Sequence, residues 1–298
     1  MITAERLTEQ VEHALSALPK DLPYPRFSID NVLPEFEYAQ LLREFPLNLC
    51  TSGVDERNFA GYTVDVDHIS DSSLSPAWKV FVASLSSQET LEKLVATCSE
   101  AATLRYPKWM RPFVRGRLSN PQNYWINVAF NISHGGRYLP PHSDNSYKVL
   151  ALVHYFTDES EENAASGTIF YRPLTQKATR NAVHRFNRLS DSRIVYRTPL
   201  CMLPMTSCNI QNNSVTEIDR AKAELWFHGH FENDFTIPFV RNRIAGFIKT
   251  QSSFHAVDLR AIDTARPRQT LLINLNLKHS RIARLGQFLR VRVLQLSS

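Results

Sequence analysis

The hydrophobic period of this chain changes near residue 113, and that change limits the folds open to it. Beyond this point, apolar residues come in short β-branched or aromatic blocks bounded by turn residues, the pattern of strands rather than helices. The blocks are Val114 to Leu118, Tyr124 to Phe130, Lys148 to Phe156, Gly167 to Tyr171, Phe235 to Val240, Ala245 to Lys249 and Gln269 to Leu277. Many short strands after a helical start predict a mainly β chain whose jelly-roll core is buttressed by helices.

Before residue 113 the spacing is helical. Leu7, Val11, Ala14 and Leu15 predict an amphipathic helix within residues 1–19, closed by Pro19, Pro23 and Pro25. Arg26 to Asp30 alternates like a strand, and Phe36 to Phe45 reads as a helix ended by Pro46. Residues 75–104 predict two helices, because Trp78, Phe81, Val82 and Leu85, then Leu91, Leu94 and Val95, recur at intervals of three and four. Residues 1–110 thus make a helical N-terminal part. Residues 172–234, rich in Arg, Asn and Ser, show weak periodicity. A connection this long reads as a lid-like, substrate-shaping insertion, with one hairpin around Ile194–Met205. With no break in composition, residues 1–298 read as a single domain.

Composition removes several classes. With 43% apolar and 21% charged residues, the chain is an ordinary globular one. No apolar run approaches the length that spans a bilayer. Met1 to Arg6 lacks the basic and apolar regions of a secretory signal. Cys50, Cys98, Cys201 and Cys208 are scattered, without zinc-finger spacing, and read as idle or buried thiols in a reducing cytoplasm. A net charge of +5 permits an acidic partner without demanding one.

The chemistry concentrates in three places. Pro140-Pro141-His142-Ser143-Asp144 places an imidazole and a carboxylate two residues apart, on one side of an extended segment. His255 follows far downstream, and Arg268-Gln269-Thr270 then opens an apolar strand. Two histidines and one carboxylate on one face of a metal leave positions open for substrates and oxygen, the pattern of non-haem iron. Arg268 would pair bidentately with the far carboxylate of an acidic cosubstrate, and Thr270, on the same face, would add a hydroxyl. Zinc is the competing metal, but no H-E-x-x-H is present and Arg268 would then have no role. Arg266 is a competing anchor, separated from the strand by Pro267. His228-Gly229-His230, with Glu232 and Asp234 nearby, is a second pair at strand spacing and a competing ligand set.

These residues make the chain resemble the prolyl-hydroxylase-like branch of the Fe(II)/2-oxoglutarate dioxygenases. Three stretches carry the resemblance. They are Phe27 to Pro34 with Leu41 to Pro46, then residues 124–173 with H-x-D-N and Ser166-Gly167-Thr168, then residues 236–277 with S-x-x-H and R-x-T. Together they cover less than half of the chain. The resemblance implies a double-stranded β-helix (jelly-roll, cupin-like) core. It implies His142, Asp144 and His255 as iron ligands, and Arg268 with Thr270 as the 2-oxoglutarate clamp. Tyr155, and more weakly Asn127, fall where the family places side chains that contact the cosubstrate. The implied cofactor is Fe(II), the implied cosubstrates are 2-oxoglutarate and O2, and the implied reaction is hydroxylation of a C–H bond with release of succinate and CO2. A carboxylate at Asp144 disfavours a halogenase, which needs that position free for halide.

The substrate is hinted at by charge. Arg105, Lys108, Arg111, Arg115 and Arg117 interleave with Tyr106, Trp109 and Phe113, and the insertion adds Arg172, Lys177, Arg180, Arg185, Arg188, Arg193 and Arg197. These favour a small-molecule or glycan-like anionic substrate. No nucleic-acid-binding motif accompanies them, which disfavours nucleic acid. A protein or peptide hydroxylase of the same chemistry, and a non-catalytic cupin-like binding module, stand as alternatives. Residues 280–298 alternate apolar and basic positions, the composition of a segment that packs on the barrel or makes peripheral membrane contact.

Overall fold

The computed structural model describes residues 4–19, 22–51, 59–106, 108–133, 138–144, 147–158, 163–175, 178, 208–209, 217–250, 252–259 and 267–278. The expected hairpin at 194–205 and the segment 280–298 lie outside them, as do Arg266 and most of the basic residues of the insertion.

Helices come first. α1 (Glu5–Ser16) buries Leu7 and Val11. After β1 (Arg26–Ile29), α2 (Glu35–Arg43) buries Tyr38 and Leu41. α3 (Pro76–Leu85) and α4 (Gln88–Ala102) start where serines stop the chain from fraying. Ser75 Oγ accepts from the Trp78 N–H and Ser87 Oγ from the Thr90 N–H, satisfying amide groups that a helix start leaves bare. A short strand, β2 (Phe59–Thr63), precedes α3 and was not evident from the sequence.

Val114 to Leu118 is not the expected strand. It is the second half of a helix, α5 (Arg111–Leu118), with Pro112 in its first turn. Val-Arg-Gly-Arg-Leu alternates with period two, but Met110, Val114 and Leu118 are also four apart, and all three pack on the helical core. Proline in the first turn favours the helix, and the buried side settles it.

The remaining strands are β3 (Tyr124–Ser133), β4 (Tyr138–Ser143), β5 (Lys148–Phe156), β6 (Asn163–Pro173), β7 (Cys208–Asn209), β8 (Phe231–Phe239), β9 (Ile244–Ile248), β10 (His255–Asp258) and β11 (Arg268–Leu277). They form two antiparallel sheets, a six-stranded one ordered β1-β9-β5-β11-β3-β2 and a five-stranded one ordered β7-β4-β10-β6-β8. That is the double-stranded β-helix architecture. Strands β6 and β8 run further than the sequence suggested. Their ends pair Arg172 with Glu232 and Pro173 with Phe231, so the interval 172–234 opens and closes as sheet. A further helix, α6 (Glu217–His228), leads into β8.

Alternation sorts the six-stranded sheet into two faces. Val128, Phe130, Leu150, Leu152, Phe156, Leu271, Ile273 and Leu275 join the helices in one buried cluster. Trp78 is its hub, with its ring centroid 4.7 Å from Phe130 and 5.2 Å from Phe156. The opposite face looks at the five-stranded sheet. The β8–β9 turn is held by Asn242 at φ 54°, a left-handed position that asparagine tolerates. Its side chain accepts from the Leu33 N–H at 3.0 Å and donates to the Leu33 carbonyl at 2.7 Å, tying the turn to the loop after β1. Cys50 and Cys98 are buried free thiols. No helix among the described residues is long and apolar enough to cross a membrane.

Candidate metal centre

Strands β4 and β10 are neighbours in the five-stranded sheet, and their register sets His142 directly opposite His255. The two rings lie 4.2 Å apart between centroids. Pro140 and Pro141 cannot both serve a regular ladder, and the β4–β10 register shifts just beyond the His142–His255 pair. Asp144 follows β4 by one residue. Its Oδ1 is 3.9 Å from His142 Nε2 and its Oδ2 is 4.0 Å from His255 Nε2. One ligand atom of each of the three lies within 4.8 Å of the others, so small side-chain movements would bring all three onto one ion. Among the described residues this is the one group of three such side chains that could hold an ion.

Each histidine is held by its other nitrogen. His142 Nδ1 lies 2.9 Å from the Pro140 carbonyl and His255 Nδ1 lies 3.2 Å from that of Ser253. A carbonyl only accepts, so both Nδ1 atoms carry the proton and both Nε2 lone pairs face Asp144. Burial lowers the pKa of both imidazoles, that of His255 to about 3. Neutral imidazole is the form that binds a metal. Burial pushes the Asp144 carboxyl up, but Lys148, His255 and His142 together outweigh it and hold the group well below the usual carboxylate range.

Lys148 was not singled out from the sequence. It opens an otherwise apolar strand, and regular alternation would turn it outward with Leu150 and Leu152. The β5–β11 register shifts there, pairing Leu150 with Leu275 but Lys148 with Asn276. A bulge of this kind re-aims a side chain. Lys148 Nζ consequently reaches Asp144 Oδ1 at 3.1 Å, in a largely buried ion pair.

The triad shares a cavity of about 120 Å³ with Asn131, Lys148, Thr168, Arg268, Thr270 and Asn274. A larger hollow of about 690 Å³ between α1 and β1 touches none of the triad. Arg268 begins β11 opposite Ser133, with its guanidinium 5.0 Å above the Tyr155 ring and 5.1 Å from that of Phe239. Burial lowers its pKa, and the Tyr155 hydroxyl acts in the opposite direction. Arginine remains cationic under such a shift. Thr270 lies between Tyr155 on β5 and Asn131 on β3. Tyr155 is behind the guanidinium rather than on the cavity wall, with its hydroxyl 2.7 Å from Thr168 Oγ1. Asn127 is on the inner face but is not among the residues lining the cavity. It pairs with Asn274, four residues along β11 from Thr270, and Asn131 occupies the position beside Thr270.

The competing pair at 228–230 is not assembled. His228 ends α6, while His230 stacks on Trp226 at 4.2 Å and bonds the Trp226 carbonyl through Nδ1 at 2.7 Å. Glu232 and Asp234 face Arg172, at 2.6 and 3.6 Å.

No protein-family model and no curated sequence matches this chain. Among solved structures, it is similar to a Pseudomonas putida prolyl-4-hydroxylase at 10% identity and TM-score 0.46, covering 90% of this chain and 100% of that one. It is similar to a Trichoplax adhaerens prolyl hydroxylase, solved with a hypoxia-inducible-factor peptide, at 14% identity and TM-score 0.46, covering 91% and 90%. It is also similar to the epimerase SnoN, solved with Fe3+, α-ketoglutarate and a nogalamycin compound, at 10% identity and TM-score 0.44, covering 94% and 89%. At such identities the function has to be argued from the site itself.

Proposed function

We propose that this chain is an Fe(II)- and 2-oxoglutarate-dependent dioxygenase that hydroxylates a C–H bond of a small-molecule or glycan-like anionic substrate, with release of succinate and CO2. The observation that carries the reading is the placement of a two-histidine, one-carboxylate set and a buried arginine on the walls of one small cavity. His142, Asp144 and His255 would hold the iron on one side, leaving the cavity side open. Arg268 would pair with the far carboxylate of 2-oxoglutarate, Thr270 would donate its hydroxyl to the same group, and Tyr155 would brace the guanidinium. Iron with 2-oxoglutarate and oxygen supplies the oxidising power, while the chain supplies orientation and excludes water.

A zinc hydrolase fits less well. Asp144 is the one carboxylate among the described residues that line the cavity, which leaves no general base once it ligates. Lys148, Asn131 and Asn274 line the same hollow and offer polar contacts to an anionic or hydroxylated group.

The test is anaerobic. Fe(II) and then 2-oxoglutarate are added to metal-free protein, and a visible metal-to-ligand charge-transfer band is sought. The band is expected in the parent chain, absent in His255→Ala, and shifted to higher 2-oxoglutarate in Arg268→Ala. A folded parent chain that gives no band, or a His255→Ala variant that keeps it, overturns the proposal. Candidate anionic substrates then identify the acceptor through succinate release and a product heavier by one oxygen.

A further inference from the structure

Lys249 follows β9 directly and is fully buried. Lysine is almost never buried to this degree unless its ammonium is hydrogen-bonded, because taking the charge out of water is costly. The strand before it explains the placement. Ala245 and Phe247 turn toward the five-stranded sheet, and the Phe247 ring lines the cavity 4.6 Å from that of His255. Alternation carries Lys249 to the same side. Its N–H donates to the Val149 carbonyl at 2.9 Å, which keeps its backbone beside β5. Lys249 is not among the residues lining the cavity, so it stands behind the triad rather than facing a substrate.

The ammonium spans from the six-stranded sheet to both segments that carry the triad. Lys249 Nζ donates to Ser143 Oγ at 3.0 Å and to the Thr250 carbonyl at 2.9 Å. Ser143 is the residue between His142 and Asp144, so the first bond reaches the segment that carries two of the three metal-site side chains. The second bond leads to His255. The Thr250 carbonyl also accepts from Ser253 Oγ at 2.9 Å, and that oxygen accepts from the Thr250 N–H at 3.0 Å. The Ser253 carbonyl then accepts from His255 Nδ1 at 3.2 Å. Lys249, Ser143, Thr250 and Ser253 are all buried.

The strand ladder alone holds this spacing weakly, because the β4–β10 register shifts just beyond the His142–His255 pair. A buried network whose members are bonded to one another rigidifies its surroundings and favours one arrangement. Groups that orient the ligands behind a metal are a large part of its affinity.

We propose that Lys249 is a positioning residue for the metal centre, fixing the spacing between the His142–Asp144 segment and His255 through its bonds to Ser143 and Thr250. The inference rests on the triad's holding a metal, and not on the choice of cosubstrate or substrate. The positive charge itself opposes a nearby cation, so the hydrogen bonds, not the charge, are what favour metal binding here.

The test is titration of the metal-free full chain with Co(II), read from its ligand-field absorption, in the parent, Lys249→Met, Ser143→Ala and the double variant. Lys249→Met is expected to weaken Co(II) binding by about tenfold and to shift the absorption, as the ligands meet the ion in a less regular arrangement. Ser143→Ala keeps the ammonium and should weaken binding less. The double variant should be little weaker than Lys249→Met alone, since both changes remove the same link. A lysine needed only for folding would lower the melting temperature of the metal-free chain and leave the Co(II) affinity and spectrum of the folded protein unchanged, which overturns the proposal. Tighter binding in Lys249→Met also overturns it, by showing that charge repulsion dominates. Where Lys249→Met does not fold, Ser143→Ala decides, and parent-like affinity and spectrum in that variant overturn the proposal. A folded parent chain that binds no Co(II) overturns the metal centre and this inference together. A parent chain that binds Co(II), with the expected losses in the variants, but gives no charge-transfer band with Fe(II) and 2-oxoglutarate, supports the role of Lys249 and removes only the cosubstrate reading.

Discussion

The two faces of β11 are made of the same strand and do opposite work. Leu271, Ile273, Leu275 and Leu277 face the helices in the main core. Arg268, Thr270 and Asn274 face the cavity and are nearly as buried, though polar. The outer face gains stability by removing hydrocarbon from water. The inner face gives some of that up to hold a cation and hydrogen-bonding groups beside the triad. Stability and chemistry are thus separated by the two-residue period of a single strand, and substitutions on the two faces should separate in the same way.

The largest expected difference is between Asp144→Ala and Ile273→Ala. Asp144→Ala removes one of the three proposed ligands and should abolish metal-dependent turnover while leaving a cooperative melt. Its loss also frees Lys148 from its ion pair, so metal affinity should be read directly, by titration with Fe(II) or Co(II). Ile273→Ala should cost about 2–5 kcal/mol of unfolding free energy as a cavity in the core, with metal affinity unchanged at a temperature where the variant is folded. A variant of Ile273 that loses metal but not stability would break the comparison.

Acid sharpens it. His154 is buried on the outer face, with its Nε2 3.3 Å from Asn242 Oδ1, and burial takes its pKa down to about 3. An unfolded histidine titrates near ~6.5. The native state therefore binds fewer protons between these values. The stability that results is complete above about 6.5 and is lost as pH falls toward 3. The effect is of the order of a few kcal/mol. In metal-free protein His255, also lowered to about 3, contributes with the same sign. Urea midpoints of His154→Phe should therefore fall less steeply with acid than those of the parent chain, the remaining slope coming from His255, His142 and Asp144. An unchanged slope would show that His154 is protonated in the folded state.

Much of this was legible in the sequence, for physical reasons that differ by element. Helices α3 and α4 announce themselves through an apolar period and a serine ahead of each. The outer faces of β3, β5 and β11 announce themselves through alternation. His142 and Asp144 can be paired from spacing alone, but that His255 lies opposite His142 is a matter of register between strands more than a hundred residues apart. Strand β4 is hidden by Pro140 and Pro141, which argue against a strand unless the ladder is broken nearby. The first half of strand β8 is hidden because Glu232 pairs with Arg172 and Asp234 with Arg172 and the buried Arg26, so no apolar alternation marks it. α5 was misread because its five last residues satisfy two periods at once. The inward turn of Lys148 depends on a one-residue register shift that no local pattern encodes.

The smaller effects divide the inner face itself. Arg268→Lys keeps the charge but loses the planar fork, so the 2-oxoglutarate requirement should rise by about ten- to a hundredfold with little change in metal affinity. Lys148 should behave the other way. Its ammonium holds Asp144 Oδ1 at 3.1 Å, leaving Oδ2, the oxygen nearer His255, for a metal. Removing a group that orients a ligand typically costs about ten- to a hundredfold in metal affinity, and the partial exposure here argues for the lower end. Lys148→Met keeps the aliphatic length and removes the charge, so it should weaken Co(II) binding by about tenfold, with Lys148→Arg recovering part of the loss. Tighter binding in Lys148→Met would instead mean that the ammonium competes with the metal for Asp144, and that the bulge in β5 lowers metal affinity instead of organising the site.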